Sequence, residues 1–121
     1  MNPDNTIDKI IYLPKEFSKK GDTSIYDLLK KSGYFDKFNQ ISEDKILKAV
    51  KENPLCINDW LLWSENKRSD SGWYFKKYSD NKYAVGNLIS GKGNIQEIEY
   101  SDASVACAAF IKKEIEDIRT A

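Results

Sequence analysis

Few residues in this chain are of types and spacings that could do chemistry. Carboxylates pair at Glu97/Glu99 and cluster at Glu114, Glu116 and Asp117. General acid–base catalysis needs two such groups opposed across a cleft, with their pKa values pushed apart. Alternate positions on a strand project side by side, and positions 114, 116 and 117 fall mainly off the apolar stripe of a predicted helix, so both groups read as surface charge. Ser90-Gly91-Lys92-Gly93-Asn94 contains a G-x-G with a lysine, but it lacks the full phosphate-loop pattern and no helix follows, so it reads as a hairpin loop. Cys56 and Cys107 have no histidine to activate them, because the chain contains none. That absence also removes the commonest general base near neutral pH and the commonest zinc ligand. These residues predict a protein that is not an enzyme and holds no cofactor and no metal.

One set of residues points to binding instead. Trp63, Tyr74, Tyr78 and Tyr83 stand beside Lys76, Glu97 and Glu99 if the surrounding runs are strands. Tyrosine and tryptophan anchors in a charged surround have the composition of a protein-binding patch. The plain alternative is an amphipathic sheet face partly covered by helices.

The elements that would position this patch are read from residues 59 to 100. Asp59–Glu65, Trp73–Tyr78, Tyr83–Ile89 and Ile95–Tyr100 are β-prone runs separated by polar, glycine-containing or Asp-Asn turns. They predict a four-stranded antiparallel meander. Pairing about the middle of each turn sets Leu62 opposite Phe75, Phe75 opposite Gly86 and Gly86 opposite Ile98. One face then carries Trp60, Leu62, Trp73, Phe75, Ala84, Gly86, Leu88, Ile98 and Tyr100, and the other carries the patch. A slip of one residue would exchange the faces. Ser101 is the expected cap of a closing helix over about 102–118, with Ala103, Cys107, Phe110, Ile111, Ile115 and Ile118 as its stripe. Gly86 would let that helix approach closely, or would simply bend the strand.

The first half of the chain reads as two to three helices. Ile7, Ile10, Ile11 and Leu13 have the spacing of a short helix, although Ile10–Leu13 alone would also fit a strand, and Pro14 ends the element either way; Lys15–Gly21 reads as a charged connection anchored by Phe17. A second helix starts at Asp22 or Thr23 and stops at Gly33; a third starts at Ser42 and ends at Asn53-Pro54. Lys45, Lys48 and Lys51 on the third read as a solvated face rather than a nucleic-acid surface. The expected whole is a single α+β domain over residues 1–121, helical to 58, then sheet plus helix.

Composition bounds the function. The 121 residues are long enough for a core without staples, and 19 basic against 19 acidic residues give a formal net charge of +0. A dedicated nucleic-acid binder usually carries a basic excess, so no nucleic-acid partner is expected. Both cysteines sit among apolar neighbours and read as buried thiols of a reducing compartment, with a disulfide between them as the lesser alternative. No apolar run approaches the roughly 18 residues of a membrane span, and Met1-Asn2-Pro3-Asp4-Asn5 has no signal-peptide pattern. A cytoplasmic protein without membrane contact is the expectation.

Four runs carry a family resemblance: Trp60-Leu61-Leu62-Trp63-Ser64-Glu65, Gly72-Trp73-Tyr74, Tyr83-Ala84-Val85-Gly86-Asn87-Leu88, and Tyr100-Ser101-Asp102-Ala103 continuing to Glu114. Together they resemble small bacterial immunity proteins of contact-dependent growth inhibition and related polymorphic-toxin systems, over about residues 59–118. The resemblance implies a protein that binds the toxin domain of its own cell type, often a nuclease, and blocks its active site. It carries over no catalytic residue. Immunity proteins to nucleases are often strongly acidic, and this chain is neutral, so complementarity must be local. The expected partner-binding residues are Glu65 and Asp70 on the first hairpin, Glu97 and Glu99 on the fourth strand, and Tyr74, Lys76 and Tyr83 beside them. The competing expectation is a non-enzymatic adaptor that binds another protein with no toxin involved.

Overall fold

The first surprise is at Trp60-Leu61-Leu62-Trp63, which is helix rather than strand. The computed structural model describes residues 3–20, 24–66, 72–89 and 93–120. Among these, helices α1 (Pro3–Ile11), α2 (Leu13–Lys20), α3 (Ile25–Lys31), α4 (Tyr34–Lys37), α5 (Glu43–Glu52) and α6 (Cys56–Asn66) precede strands β1 (Gly72–Ser79), β2 (Lys82–Ile89) and β3 (Gly93–Tyr100), and helix α7 (Ala103–Thr120) closes the chain. The fold is α+β, and its described sheet has three antiparallel strands in the order β1-β2-β3, not four.

The reason lies in the spacing. Cys56 and Trp60 are buried and Trp63 half-buried, at i, i+4 and i+7, which is one helical face. Asp59 adds favourable charge in the first turn. The bulky residues that raise β-propensity here serve helix packing instead. The Trp60 indole N–H donates to the Ile11 carbonyl at 3.0 Å, which joins α6 to the end of α1.

Pro14 also acts differently from expectation. It lies in the first turn of α2, where a missing N–H costs nothing, so it opens a helix across the stretch expected to be a connection. Phe17 on α2 meets the Trp63 ring edge-on at 5.3 Å. Asp22 and Thr23 lie outside the described residues, and Ser24 caps α3 by accepting from the Asp27 N–H. Gly33 ends that helix at φ 93°, a left-handed conformation that glycine adopts without strain. Ser42 caps α5 as expected. For α7 the cap is Asp102 rather than Ser101: its Oδ1 accepts from the Ser104 and Val105 N–H groups.

Helix α7 is central. The α5 helix packs on one side of it and the sheet on the other. Ala106, Ala108 and Ala109 are all buried, so the helix is enclosed nearly all round and its small residues permit close approach. Phe110 is fully buried, stacked on Phe75 at 5.7 Å and edge-on to Trp60 at 5.9 Å. It therefore joins sheet, α6 and α7 at one point.

The sheet register departs from the turn-centred one. Phe75 pairs with Val85, which pairs with Ile98, while Tyr74 pairs with Gly86, which pairs with Glu97. The expected faces of β1 and β3 hold in orientation, although Ile98, expected in the core, is 47% exposed on the edge strand, and those of β2 are exchanged. Ser79 and Lys82 flank the turn symmetrically, and then Tyr78 is passed over as an extra residue before Lys77 pairs with Tyr83. A second irregularity follows Asn87 in the pairing of β2 with β3. Each such bulge moves one strand by a residue and so turns its side chains over. Tyr83 and Val85 thus face α7, and Ala84 and Gly86 face outward.

Two acidic residues expected on a solvated helix face are engaged. Glu114 is 3% exposed and accepts from the Trp63 indole N–H at 2.9 Å. Glu116 accepts from the Tyr34 hydroxyl at 2.5 Å and from Arg119, while Lys112 donates to the Tyr34 hydroxyl and to the Phe38 and Ile41 carbonyls. This network holds α4 and the following 3-10 turn on α7. Its hydrogen bond from Arg119, then that from Tyr34, draw the Glu116 carboxyl below its ordinary value against the opposing effect of burial. A carboxyl with a lowered folded pKa stabilises the fold above its unfolded pKa, and that contribution is lost as pH falls through the folded value. Denaturant midpoints should therefore fall between about pH 5 and pH 3, and Glu116→Gln should flatten this part of the acid limb. An unchanged slope in the variant would assign the acid sensitivity to other groups.

Candidate functional site

The site is built on the outer face of the sheet, where period-two alternation places Tyr74, Lys76 and Tyr78 of β1 on one side. Opposite them on β2 are the two smallest outward residues, Ala84 and Gly86, and beyond those Glu97 and Glu99 of β3. Small residues in the middle strand leave room for large ones from its neighbours. The Tyr74 ring lies across Gly86, in the space a β-carbon would need.

Both tyrosine hydroxyls donate to the same carboxylate oxygen, Glu97 Oε1, at 2.5 Å from Tyr74 and 3.0 Å from Tyr78. Burial, then the Glu97 hydrogen bond, push the Tyr74 phenol well above its ordinary value; for Tyr78 the hydrogen bond to Glu97 is the larger cause. Both therefore remain protonated donors at neutral pH, and the carboxylate fixes two aromatic rings. The Lys76 ammonium lies over the Tyr74 ring at 5.1 Å and that of Lys82 over the Tyr78 ring at 5.7 Å. Lys82 also pairs with Glu99 at 3.5 Å, an exposed pair worth little by itself.

Beside this cluster runs an open groove of about 700 Å³ between α6 and β1. Leu61, Leu62 and Glu65 line it from α6, and Tyr74, Lys76, Tyr78 and Glu97 from the sheet. Leu62 is 47% exposed and Tyr78 51%, so apolar surface meets water on both walls. The edge of β1 is not left open here: the Phe75 N–H donates to Ser64 Oγ at 2.7 Å, which satisfies an edge donor with a helix side chain.

Of the expected binding residues, Tyr74, Lys76, Glu65 and Glu97 come together at this groove, and Glu99 lies further along the same sheet face. Tyr83 does not join them. It is 7% exposed and its ring lies 6.3 Å from that of Phe75 on the inner face, a consequence of the bulge at Tyr78. Trp63 is likewise drawn away, into contact with α2 and α7. Asp70 lies outside the described residues. Leu62 was expected on the core face and instead lines the groove; its signal was the helical spacing of 56, 60 and 63, which leaves 62 on the open side.

Gly86→Ala tests how the site is held. The new β-carbon collides with the outer end of the Tyr74 ring, a side chain that can swing aside. The expected result is loss of the Tyr74–Glu97 hydrogen bond at a stability cost of about 1 kcal/mol, read as a drop of the Tyr74 titration toward that of a free phenol. An unmoved titration would show that the strand yields instead.

Among the described residues, no group of three His, Cys, Asp or Glu side chains is placed to hold a metal ion, and no helix is long and apolar enough to cross a membrane. Cys56 and Cys107 are buried free thiols. Their mutual hydrogen bond lowers the Cys56 thiol, while burial raises that of Cys107. Comparison of the chain with protein-family models, with curated proteins and with solved structures finds no match.

Proposed function

We propose that the chain is an immunity protein that binds a cognate toxin domain, a nuclease, in the cytoplasm and blocks its active site through the outer sheet face and the α6–β1 groove. The observation that carries this reading is the Tyr74–Glu97–Tyr78 cluster. It is a pre-ordered pair of aromatic anchors beside apolar Leu62, with carboxylates at Glu65 and Glu97 on the two walls of the groove. Anchors that are already fixed lose little conformational freedom on binding. Glu97 Oε1 takes both tyrosine hydroxyls, and Oε2 takes neither. It is the natural acceptor for a lysine or arginine from a cleft built to hold phosphate. The resemblance over residues 59–118 supports the same reading; Lys76 and Lys77 also line the groove, so complementarity to a basic cleft rests on the placement of Glu65 and Glu97 and not on a net acidic charge.

The test is protection. The reading expects a toxin domain in the neighbouring reading frame; co-expression of this chain with it should restore growth of cells that the toxin alone arrests, and the two proteins should purify together. Arrest despite full-level expression of the chain would contradict the reading. Co-purification without protection would mark an adaptor instead.

A further inference from the structure

A second groove, of about 850 Å³, lies on the other side of α6, between it and α2. Its walls are mainly apolar: Pro14 and Phe17 from α2, Leu62 and Trp63 from α6. The floor is held rigidly, since Phe17 packs edge-on against Trp63 and the Trp63 indole N–H is tied to Glu114. Lys15 and Lys19 line the α2 side, both exposed and one helical turn apart. Neither makes a hydrogen bond or ion pair with the described residues. Asp59 is the one acidic residue among those lining the groove.

We infer that this groove docks an acidic amphipathic helix of a partner protein. The backbone of both walls is helical, so its N–H and C=O groups are spent internally and offer no edge to an added strand. A third helix can instead set its ridges into the space between two others. Apolar residues of the incoming helix would cover Phe17, Leu62 and Trp63. Carboxylates four residues apart on its flank would meet Lys15 and Lys19, whose spacing they match. This surface meets the α6–β1 groove at Leu62, which lines both, but none of the carboxylates assigned to toxin binding lines it, so the inference stands apart from the toxin reading.

The probe is a synthetic helix of leucine and glutamate, about 18 residues long so that it holds helix in solution, labelled for fluorescence anisotropy. Its control has lysine in place of glutamate. The intact protein should bind the glutamate peptide saturably and, at low salt, roughly tenfold more tightly than the lysine peptide. Lys15→Glu with Lys19→Glu, both at exposed positions, should reverse that order, with circular dichroism as the folding control. Ser18→Tyr, which sets a ring into the groove from an exposed position, should weaken both, while Glu97→Gln should change neither. Equal binding of the two peptides, an order unchanged in the double variant, or no saturable binding would overturn the inference. So would self-association, seen by sedimentation and abolished by Ser18→Tyr, which would assign the groove to a second copy of this chain.

Discussion

Phe110→Ala is expected to destabilise the protein by about 3 to 5 kcal/mol, as truncation of a fully buried aromatic does. Phe110 is 0% exposed, with the Phe75 ring stacked on one side and the Trp60 ring edge-on at another. Removing it leaves a cavity where sheet, α6 and α7 meet, and none of the three can close it without leaving another partner. A domain of this size has a total stability of about 5–15 kcal/mol, so the variant should be close to unfolding at physiological temperature. Urea titration checks this through the midpoint. A loss below about 1 kcal/mol would mean that α7 is peripheral, contrary to its enclosure by α5 and the sheet.

How much of this was readable beforehand differs by element. The stripe of α7 was, because Cys107, Phe110, Ile111 and Ile115 are spaced for a helix over several turns and all are buried. The caps at Ser42 and the stop at Gly33 were readable from local chemistry alone. The segment around Trp60 was not, because a short apolar run of large side chains fits a strand or a buried helix equally, and only its docking onto α1 and Phe110 decides. The orientation of β2 was not readable either. A bulge depends on how the chain relaxes at one residue, and nothing in Lys77-Tyr78-Ser79 marks Tyr78 as the extra one. The cost fell on the site: Tyr83 was misplaced by that single step, whereas Tyr74, Lys76 and Glu97, on strands whose faces were right, were placed together correctly.

The second large effect concerns Glu65 and Glu97. Both line the α6–β1 groove, together with Lys76 and Lys77, and a basic partner cleft that enters it would meet the two carboxylates. Truncating one member of a desolvated charge pair costs about 2–5 kcal/mol, and reversing two charges turns attraction into repulsion. Glu65→Lys with Glu97→Lys should therefore weaken binding of the proposed toxin partner by about three powers of ten or more. Glu97→Gln separates charge from scaffolding, since the amide oxygen can still accept from Tyr74 and Tyr78. It should keep the rings in place and still lose roughly tenfold or more in affinity. Glu99→Lys should matter less, because Glu99 lies along the strand from the groove and already pairs with Lys82.

The most direct measurement is calorimetric titration of the purified protein, wild type and Glu65→Lys/Glu97→Lys, into the toxin domain it is proposed to neutralise, sought in the neighbouring reading frame, with thermal melts to show that both are folded. We expect tight one-to-one binding by the wild type and a loss of about three powers of ten in the folded double variant. Equal affinity of the two proteins, or no binding by the wild type, would contradict the assignment of this face to a toxin.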